Sequence, residues 1–182
     1  VVAGVLARLI APEDFGIVAI ATVIISFFSI FSDLGIGAAV IQNKTLDEND
    51  LSRIFSFTIW SGTILALLFF LCSWPISWYY RHDTTLLIIC QMLSVNLFFA
   101  SANIVPNALT FKAKEFRFIA WRSLGVQIAG GSIAIAAALN RAGLYALIIN
   151  PILSSILLFI ISYRKYPQHL KKTWGLSSIR KI

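Results

Sequence analysis

The chain has 182 residues, of which 58% are hydrophobic and 13% charged, and its net charge is +7. A soluble domain usually carries about twice that fraction of charged residues, so the composition excludes an ordinary soluble enzyme or binding module. The charged residues are also clustered, and five long stretches between them carry no charge. These stretches cover residues 15–32, 54–80, 84–111, 123–140 and 142–163.

Each uncharged stretch is long enough, or nearly so, to cross a bilayer, which takes roughly 20 apolar residues in a helix. The hydrocarbon offers no partner to a free backbone group, so each should be helical. The sequence thus predicts an all-α, polytopic transmembrane helix bundle. We expect a transmembrane lobe over residues 1–163 and a basic cytoplasmic connector over residues 164–182. The predicted helices cover residues 1–10, 17–41, 54–80, 86–109, 118–139 and 144–163.

The first ten residues are apolar apart from Arg8, and the chain does not begin with Met. They lack the basic start and small-residue cleavage site of a signal peptide. We interpret them as the last turns of a helix whose beginning is absent, and the chain as a fragment. A turn at residues 11–16 then leads into the second predicted helix.

Two further features mark the middle of the chain. Residues 42–53 are polar and predict a loop between the second and third helices. Pro75 predicts a kink or an early end in the third helix. The aromatic residues around it, Trp74, Trp78, Tyr79 and Tyr80, are typical of a membrane interface.

The orientation follows from Lys and Arg alone. Of the fifteen basic residues, eleven lie in the loops after the second and fourth helices and in the tail, whereas three lie on the opposite side. The positive-inside rule places the first side in the cytoplasm. The positive charge therefore indicates contact with anionic lipid rather than nucleic acid binding.

The two cysteines, Cys72 and Cys90, lie inside apolar stretches, and neither His82 nor His169 has a partner at metal-ligand spacing. We expect small buried side chains at both cysteines. The sequence predicts no metal site and no cofactor.

Polar residues inside the predicted helices form the candidate site, because polar groups are costly in hydrocarbon. Two sets recur at helical spacing, one on the second helix and one on the fourth. We hypothesise that these sets line a hydrated cavity, with interhelical packing as the alternative for each residue. The candidates are Thr22, Ser26, Ser29 and Asp33 on the second helix, Asn96, Asn103 and Asn107 on the fourth, Gln127 on the fifth and Asn150 on the sixth.

Asp33 and Arg122 are the charged candidates, and at 1.5 Å per residue they lie about 13 Å and about 8 Å from the cytoplasmic end. These similar depths allow an ion pair. Alternatively, Arg122 faces the cavity and binds an anionic group, since a guanidinium matches phosphate geometry. A third possibility is that Arg122 extends to the interface.

Three segments carry a family resemblance. Residues 7–16, ARLIAPEDFG, resemble the turn between the first two helices of polysaccharide flippases, and residues 31–42, FSDLGIGAAVIQ, resemble a segment at the end of their second helix. Residues 105–109 and 116–118 resemble the region before their fifth helix. The family is the Wzx-type polysaccharide exporter branch, which includes teichuronic and colanic acid exporters, of the multidrug/oligosaccharidyl-lipid/polysaccharide (MOP) superfamily.

The resemblance implies a multi-pass protein of the bacterial cytoplasmic membrane with two lobes around a central cavity. This chain would be the N-terminal lobe of such a MOP-type transporter. It would flip an undecaprenyl-pyrophosphate-linked glycan by alternating access, for O-antigen or exopolysaccharide synthesis, alongside a polysaccharide polymerase and glycosyltransferases. It would not be an enzyme.

Two other functions stay open, and so does a purely structural membrane subunit. A drug or cation antiporter of the same superfamily would have a cavity lined by acidic and aromatic residues. One embedded acid and one embedded base favour an anionic substrate instead. A membrane-embedded glycan-assembly enzyme needs a large outer loop, whereas the predicted outer loops are short.

Overall fold

The computed structural model describes residues 12–33, 35–43, 45–80, 84–140 and 144–168, with side chains from residue 15 onward. These residues form a bundle of seven helical segments. The segments are α1 (Pro12–Asp33), α2 (Ile36–Gln42), α3 (Glu48–Tyr79), α4 (Thr84–Ala102), α5 (Ile104–Lys112), α6 (Phe116–Leu139) and α7 (Tyr145–Lys165).

Five helical stretches are long and apolar enough to cross a membrane, since α1 continues into α2 and α4 into α5. Many large apolar side chains, such as Val23, Trp78 and Trp121, are about 70% exposed. A lipid environment accounts for such a surface, and the all-α polytopic bundle is confirmed. The predicted helix at residues 1–10 and most of the connector at 164–182 lie outside the described residues, so the division into lobe and connector stays a prediction.

Two predicted spans are interrupted near the ends that are predicted to be cytoplasmic. Between α1 and α2, Gly35 has a φ of 76°, a left-handed conformation that glycine adopts without steric cost. Between α4 and α5, the break falls at Asn103, three residues before Pro106. Proline has no N–H to bond the carbonyl four residues earlier, which weakens the helix at this point.

The start of α3 corrects the prediction, whereas its end agrees with the predicted helix at residues 54–80 and shows no early end at Pro75. The helix begins at Glu48, inside the predicted loop, with Asp47 extended at the N-cap position and Glu48 and Asp50 in the first turn. Acidic residues there interact favourably with the positive end of the helix dipole. The helix also continues through Pro75 to Tyr79, because a spanning segment that loses one hydrogen bond still has no better structure in hydrocarbon.

Helix α4 lies at the centre of the lobe and packs against α1, α3 and α7, whereas α6 packs mainly on α7. One apolar cluster fills the half of the bundle near the start of α4 and includes Phe69, Ile89 and Leu97. A second cluster fills the other half, around Val40 and Ile54. The interior of the lobe thus consists of separate apolar clusters, and only one face of α1 belongs to them.

Close approach of the helices depends on small residues. A Cβ atom on Gly62 of α3 would lie 2.5 Å from the Cβ atom of Ser101 on α4. The hydroxyl of Ser101 in turn contacts the buried hydroxyl of Ser32 on α1. Three helices therefore meet at one point through a glycine and two serines, the kind of contact that holds helices together where no hydrophobic effect drives their association.

Candidate functional site

The four polar candidates on α1 all lie on the exposed surface of the lobe. Thr22, Ser26, Ser29 and Asp33 are exposed, while Ala21 and Ile25 on the other side of the helix are buried. The hydroxyl of Thr22 donates to the carbonyl of Val18 at 2.7 Å. We call the four candidates the polar stripe.

The other two hydroxyls of the stripe are also bonded within their own helix. Ser26 donates to the carbonyl of Thr22 at 2.7 Å and Ser29 to that of Ser26 at 2.9 Å. These hydroxyls therefore cross-link no helices within the described lobe, although interhelical bonding was the alternative for each. Their remaining lone pairs face outward and can accept hydrogen bonds.

Asp33 ends the stripe at the break between α1 and α2. Its side chain is exposed, and Oδ1 accepts a long 3.4 Å hydrogen bond from the backbone N–H of Gly37. That bond satisfies one N–H in the first turn of α2. The N-cap residue, Gly35, has no side chain that could do so. The carboxylate otherwise faces out of the described lobe, and a charge in that position requires water or a polar partner.

Arg122 lies inside the lobe, with 7% of its surface exposed. Its Nη1 donates to the hydroxyl of Ser162 on α7 at 2.6 Å, and its Nη2 donates to Oδ1 of Asn107 on α5 at 2.9 Å. The possible ion pair with Asp33 is not formed, because the guanidinium points between α5, α6 and α7 while Asp33 is on the outer face of α1. The extension of Arg122 to the interface stays a prediction, because burial among the helices does not determine the depth of the side chain in the membrane.

The surroundings of Arg122 are neutral and not fully hydrogen-bonded. The guanidinium carbon lies 5.9 Å from the centre of the Phe118 ring, a cation–π distance. Its Nε and the Oδ1 of Asn103 are both buried without a hydrogen-bond partner.

A second set of charges lies where α6 begins and α7 ends. Lys165 forms an ion pair with Glu115 and places its Nζ 3.8 Å from the centre of the Phe118 ring. Burial and, next, the negative charge of Glu115 raise the pKa of Tyr166. The ring of Phe118 therefore contacts two cations, Arg122 and Lys165, and connects Arg122 with the end of α7.

The remaining candidates fall into different environments. Asn96 is half-buried on α4 and Gln127 is exposed on α6. Asn150 accepts a 3.3 Å hydrogen bond from Ser154, and a Cβ atom on Gly130 would lie only 2.5 Å from its Oδ1. Asn150 therefore packs against α6. The three asparagines of the fourth predicted helix do not act together, since Asn107 binds Arg122.

Sequence reasoning missed Ser162, which is fully buried and binds Arg122. No spacing identifies it, because it lies 40 residues beyond Arg122. Its only signal was a hydroxyl in an apolar span. Ser32 and Ser101 were missed for the same reason.

Comparison with known proteins adds the family. A family model described as "Polysaccharide biosynthesis protein" matches residues 5–182. The chain belongs to this polysaccharide biosynthesis protein family. It is also similar to an uncharacterized membrane protein in the cps region of Klebsiella pneumoniae, with 32% identity over 79 residues.

The matched segment covers 43% of the present chain and 16% of the length of that relative. No solved structure matches the chain significantly. The family agrees with the resemblance in residues 7–16 and 31–42 at the level of polysaccharide biosynthesis. Together with the five spans, it makes the chain part of a multi-pass membrane protein concerned with polysaccharides.

Proposed function

We propose that the chain is part of a transporter that moves lipid-linked polysaccharide units across the bacterial cytoplasmic membrane. The chain would form the N-terminal lobe of a two-lobed MOP-type protein, and the cargo would be an undecaprenyl-pyrophosphate-linked glycan. The transporter would work by alternating access and would not be an enzyme. A polysaccharide polymerase and glycosyltransferases would work beside it.

The polar stripe on α1 is the observation that carries the proposal. Exposed polar residues recur over three turns of a span whose other exposed residues, such as Val23 and Ile30, are apolar. Lipid on that side would leave the Asp33 carboxylate in hydrocarbon, which costs at least a few kcal/mol. A hydrated cavity between this lobe and another part of the protein supplies water to the stripe and room for sugar hydroxyls.

The position of Arg122 argues against the hypothesis that this residue binds the phosphates of the cargo. The guanidinium is buried inside the lobe and is bonded there through both Nη groups, so it is not open to a phosphate on the surface of the described lobe. The pyrophosphate would therefore need positive charge from elsewhere in the protein. Within the described residues, the stripe offers the cargo hydroxyl groups and one carboxylate, which suit sugar rings better than a pyrophosphate.

A cation or drug antiporter of the same superfamily is the second candidate. Asp33, an exposed carboxylate inside a span, is the observation that favours it. Family membership favours the glycan instead, and so do the stripe's three hydroxyls. A glycan-assembly enzyme would need a large outer loop, and only a few residues of the sequence separate α3 from α4 and α6 from α7.

The experiment is complementation in a strain that lacks the native protein, with surface polysaccharide measured per unit of membrane protein. Ser26→Leu and Ser29→Leu should lower export several-fold at normal protein level. Phe27→Leu and Ile30→Leu change exposed neighbours on the same helix and should leave export unchanged. Loss of cation-driven drug efflux, with normal polysaccharide, would favour the antiporter.

A further inference from the structure

The break between α1 and α2 changes which side of this span faces the interior of the lobe. In an uninterrupted helix, Val40 would share the exposed face of Thr22, because 18 residues make five complete turns. Instead Val40 is fully buried, and Ile36, one turn earlier, is buried as well. The left-handed conformation of Gly35 thus lets α2 present an apolar face to α5.

Helix α2 is attached to the lobe along one side. Its main partner is α5, and its buried residues Ile36 and Val40 belong to an apolar cluster shared with that helix. The α5 members of this cluster are Val105, Ala108 and Leu109. The opposite side of α2 is exposed, for example at Ala38 and Gln42. A helix of seven residues with one buried face has few contacts that oppose its local release.

A polar contact holds the far end of α2. Lys112, in the last turn of α5, donates a 2.7 Å hydrogen bond from its Nζ to the backbone carbonyl of Asn43, the C-cap residue of α2. The ammonium group also interacts favourably with the negative end of the helix dipole. Because this contact is only half-buried, water competes for both partners.

Helix α5 is held independently of α2. Its residues in the shared cluster and Lys112 recur every three or four positions, so they form one face of the helix. Asn107 lies nearly opposite, where its Oδ1 accepts the hydrogen bond from Nη2 of Arg122. Arg122 also binds Ser162 on α7. Movement of α2 therefore does not require α5, α6 or α7 to move.

The start of α2 lies at the end of the polar stripe. Gly37 donates the long 3.4 Å hydrogen bond to Asp33, and a Cβ atom on Gly37 would lie 3.7 Å from Cγ2 of Ile104 on α5. Nothing lies within 4 Å of a Cβ position on Gly35, so the backbone there has space to rotate. The position of α2 thus determines how open the lobe is beside Asp33.

We propose that α2 is a gate at the predicted cytoplasmic end of the cavity beside α1, with Gly35 as its hinge. With α2 packed on α5, the entrance is open. When α1 and α2 straighten, Ile36 and Val40 move to the side of the polar stripe and close the entrance to polar cargo. The inference rests on the proposed function, because a cavity that releases its cargo outside must close towards the cytoplasm in each cycle.

The first test measures the position of α2 in the full-length protein, reconstituted in lipid nanodiscs that leave both membrane faces accessible. A single cysteine at Val40, in a background without Cys72 and Cys90, should react slowly with a water-soluble maleimide. Lys112→Met should raise the rate several-fold, because a methionine cannot donate to the Asn43 carbonyl. Lys112→Arg retains a donor and should keep the slow rate.

Two controls separate release of α2 from general loosening of the lobe. Lys114→Met removes the same charge from an exposed position two residues further on and should leave the rate at Val40 unchanged. A cysteine at Thr110, which is fully buried and lies on the side of α5 away from α2, should stay unreactive in the Lys112→Met variant. An equal rise at both cysteines, or no rise at Val40, would overturn the inference.

A disulfide tests whether export needs this movement. Cysteines at Gly37 and Ile104 are close enough to cross-link α2 to α5. Oxidation should abolish glycan export until a reductant restores it, whereas either single cysteine should make export insensitive to oxidant. Complete cross-linking with normal export would contradict the gate. If Val40 reacts as expected in a protein that exports no glycan, the proposed function is wrong and the movement of α2 stands.

Discussion

Arg122 on α6 donates a 2.6 Å hydrogen bond to the hydroxyl of Ser162 on α7, and Ser162 itself donates to the carbonyl of Leu158 at 2.5 Å. The guanidinium thus joins two helices that are also consecutive in the chain. Together with Asn107 on α5, this contact makes Arg122 a structural residue of the lobe.

Replacement of Arg122 should therefore lower the amount of folded protein. Arg122→Ala removes the hydrogen bonds that Asn107 and Ser162 accept from the guanidinium, and hydrogen bonds to a charged group contribute about 1.5–3 kcal/mol each. Ser162→Ala should cost less, and the double variant should cost less than the sum of the two single changes. The measurement is the melting temperature of the purified full-length protein in detergent.

The same variant separates this role from a role in binding cargo. If Arg122 paired with Asp33, Asp33→Ala would rescue Arg122→Ala, and we expect no rescue. Arg122→Ala at normal level and stability, with export absent, would contradict the structural role.

The polar stripe should be wet in the complete protein. Single cysteines at Thr22, Ser26 and Ser29 should react with a small water-soluble thiol reagent in a background without Cys72 and Cys90. Val23 and Phe27 are also exposed on the lobe, but cysteines there should face lipid or another apolar surface and should react at least several-fold more slowly. Equal rates at the two sets would remove the evidence for a cavity.

The contact between Gly62 and Ser101 should be intolerant of added volume. Gly62→Ala places a methyl group 2.5 Å from the Cβ atom of Ser101, and such overpacking typically costs about 1–3 kcal/mol. Gly125→Ala is the control, since nothing lies within 4 Å of its Cβ position. Thermal stability should fall for Gly62→Ala only, and Ser101→Gly should restore part of the loss.

The orientation of the bundle can be measured with an impermeant thiol reagent on intact cells. Cysteines at Asn49 and Arg117, which are exposed at the end rich in basic residues, should be protected. Cysteines at Tyr80 and Asn140, exposed at the opposite end, should be labelled. Labelling of the first pair at the rate of the second would reverse the predicted topology.

The sequence was sufficient for the five spans, because the length of an uncharged stretch depends directly on bilayer thickness. It was less informative about interruptions within them. Gly35 and Pro106 were visible as residues that weaken a helix, but whether a helix breaks depends on tertiary packing. Pro75 has the same chemistry and leaves α3 continuous.

The candidate site was predictable in part. The spacing of the stripe on α1 determines that its members share a face, and the structure places that face on the surface. The environment of Arg122 could not be derived in the same way, because it depends on how far α6 is rotated and on a partner 40 residues away. Depth alone made Asp33 a plausible partner, yet the two residues are on different sides of the lobe.

The burial of Arg122 also has a consequence for how the protein is made. Its helix is the least apolar of the five described spans. A lone arginine opposes insertion by about 2.5–3.5 kcal/mol at the centre of a span, and by less at the position of Arg122, nearer one end of α6. Asn107 has already left the ribosome when α6 emerges, but Ser162 has not. We therefore expect α6 to wait at the translocon until α7 follows, so that the two helices enter the membrane as a hairpin.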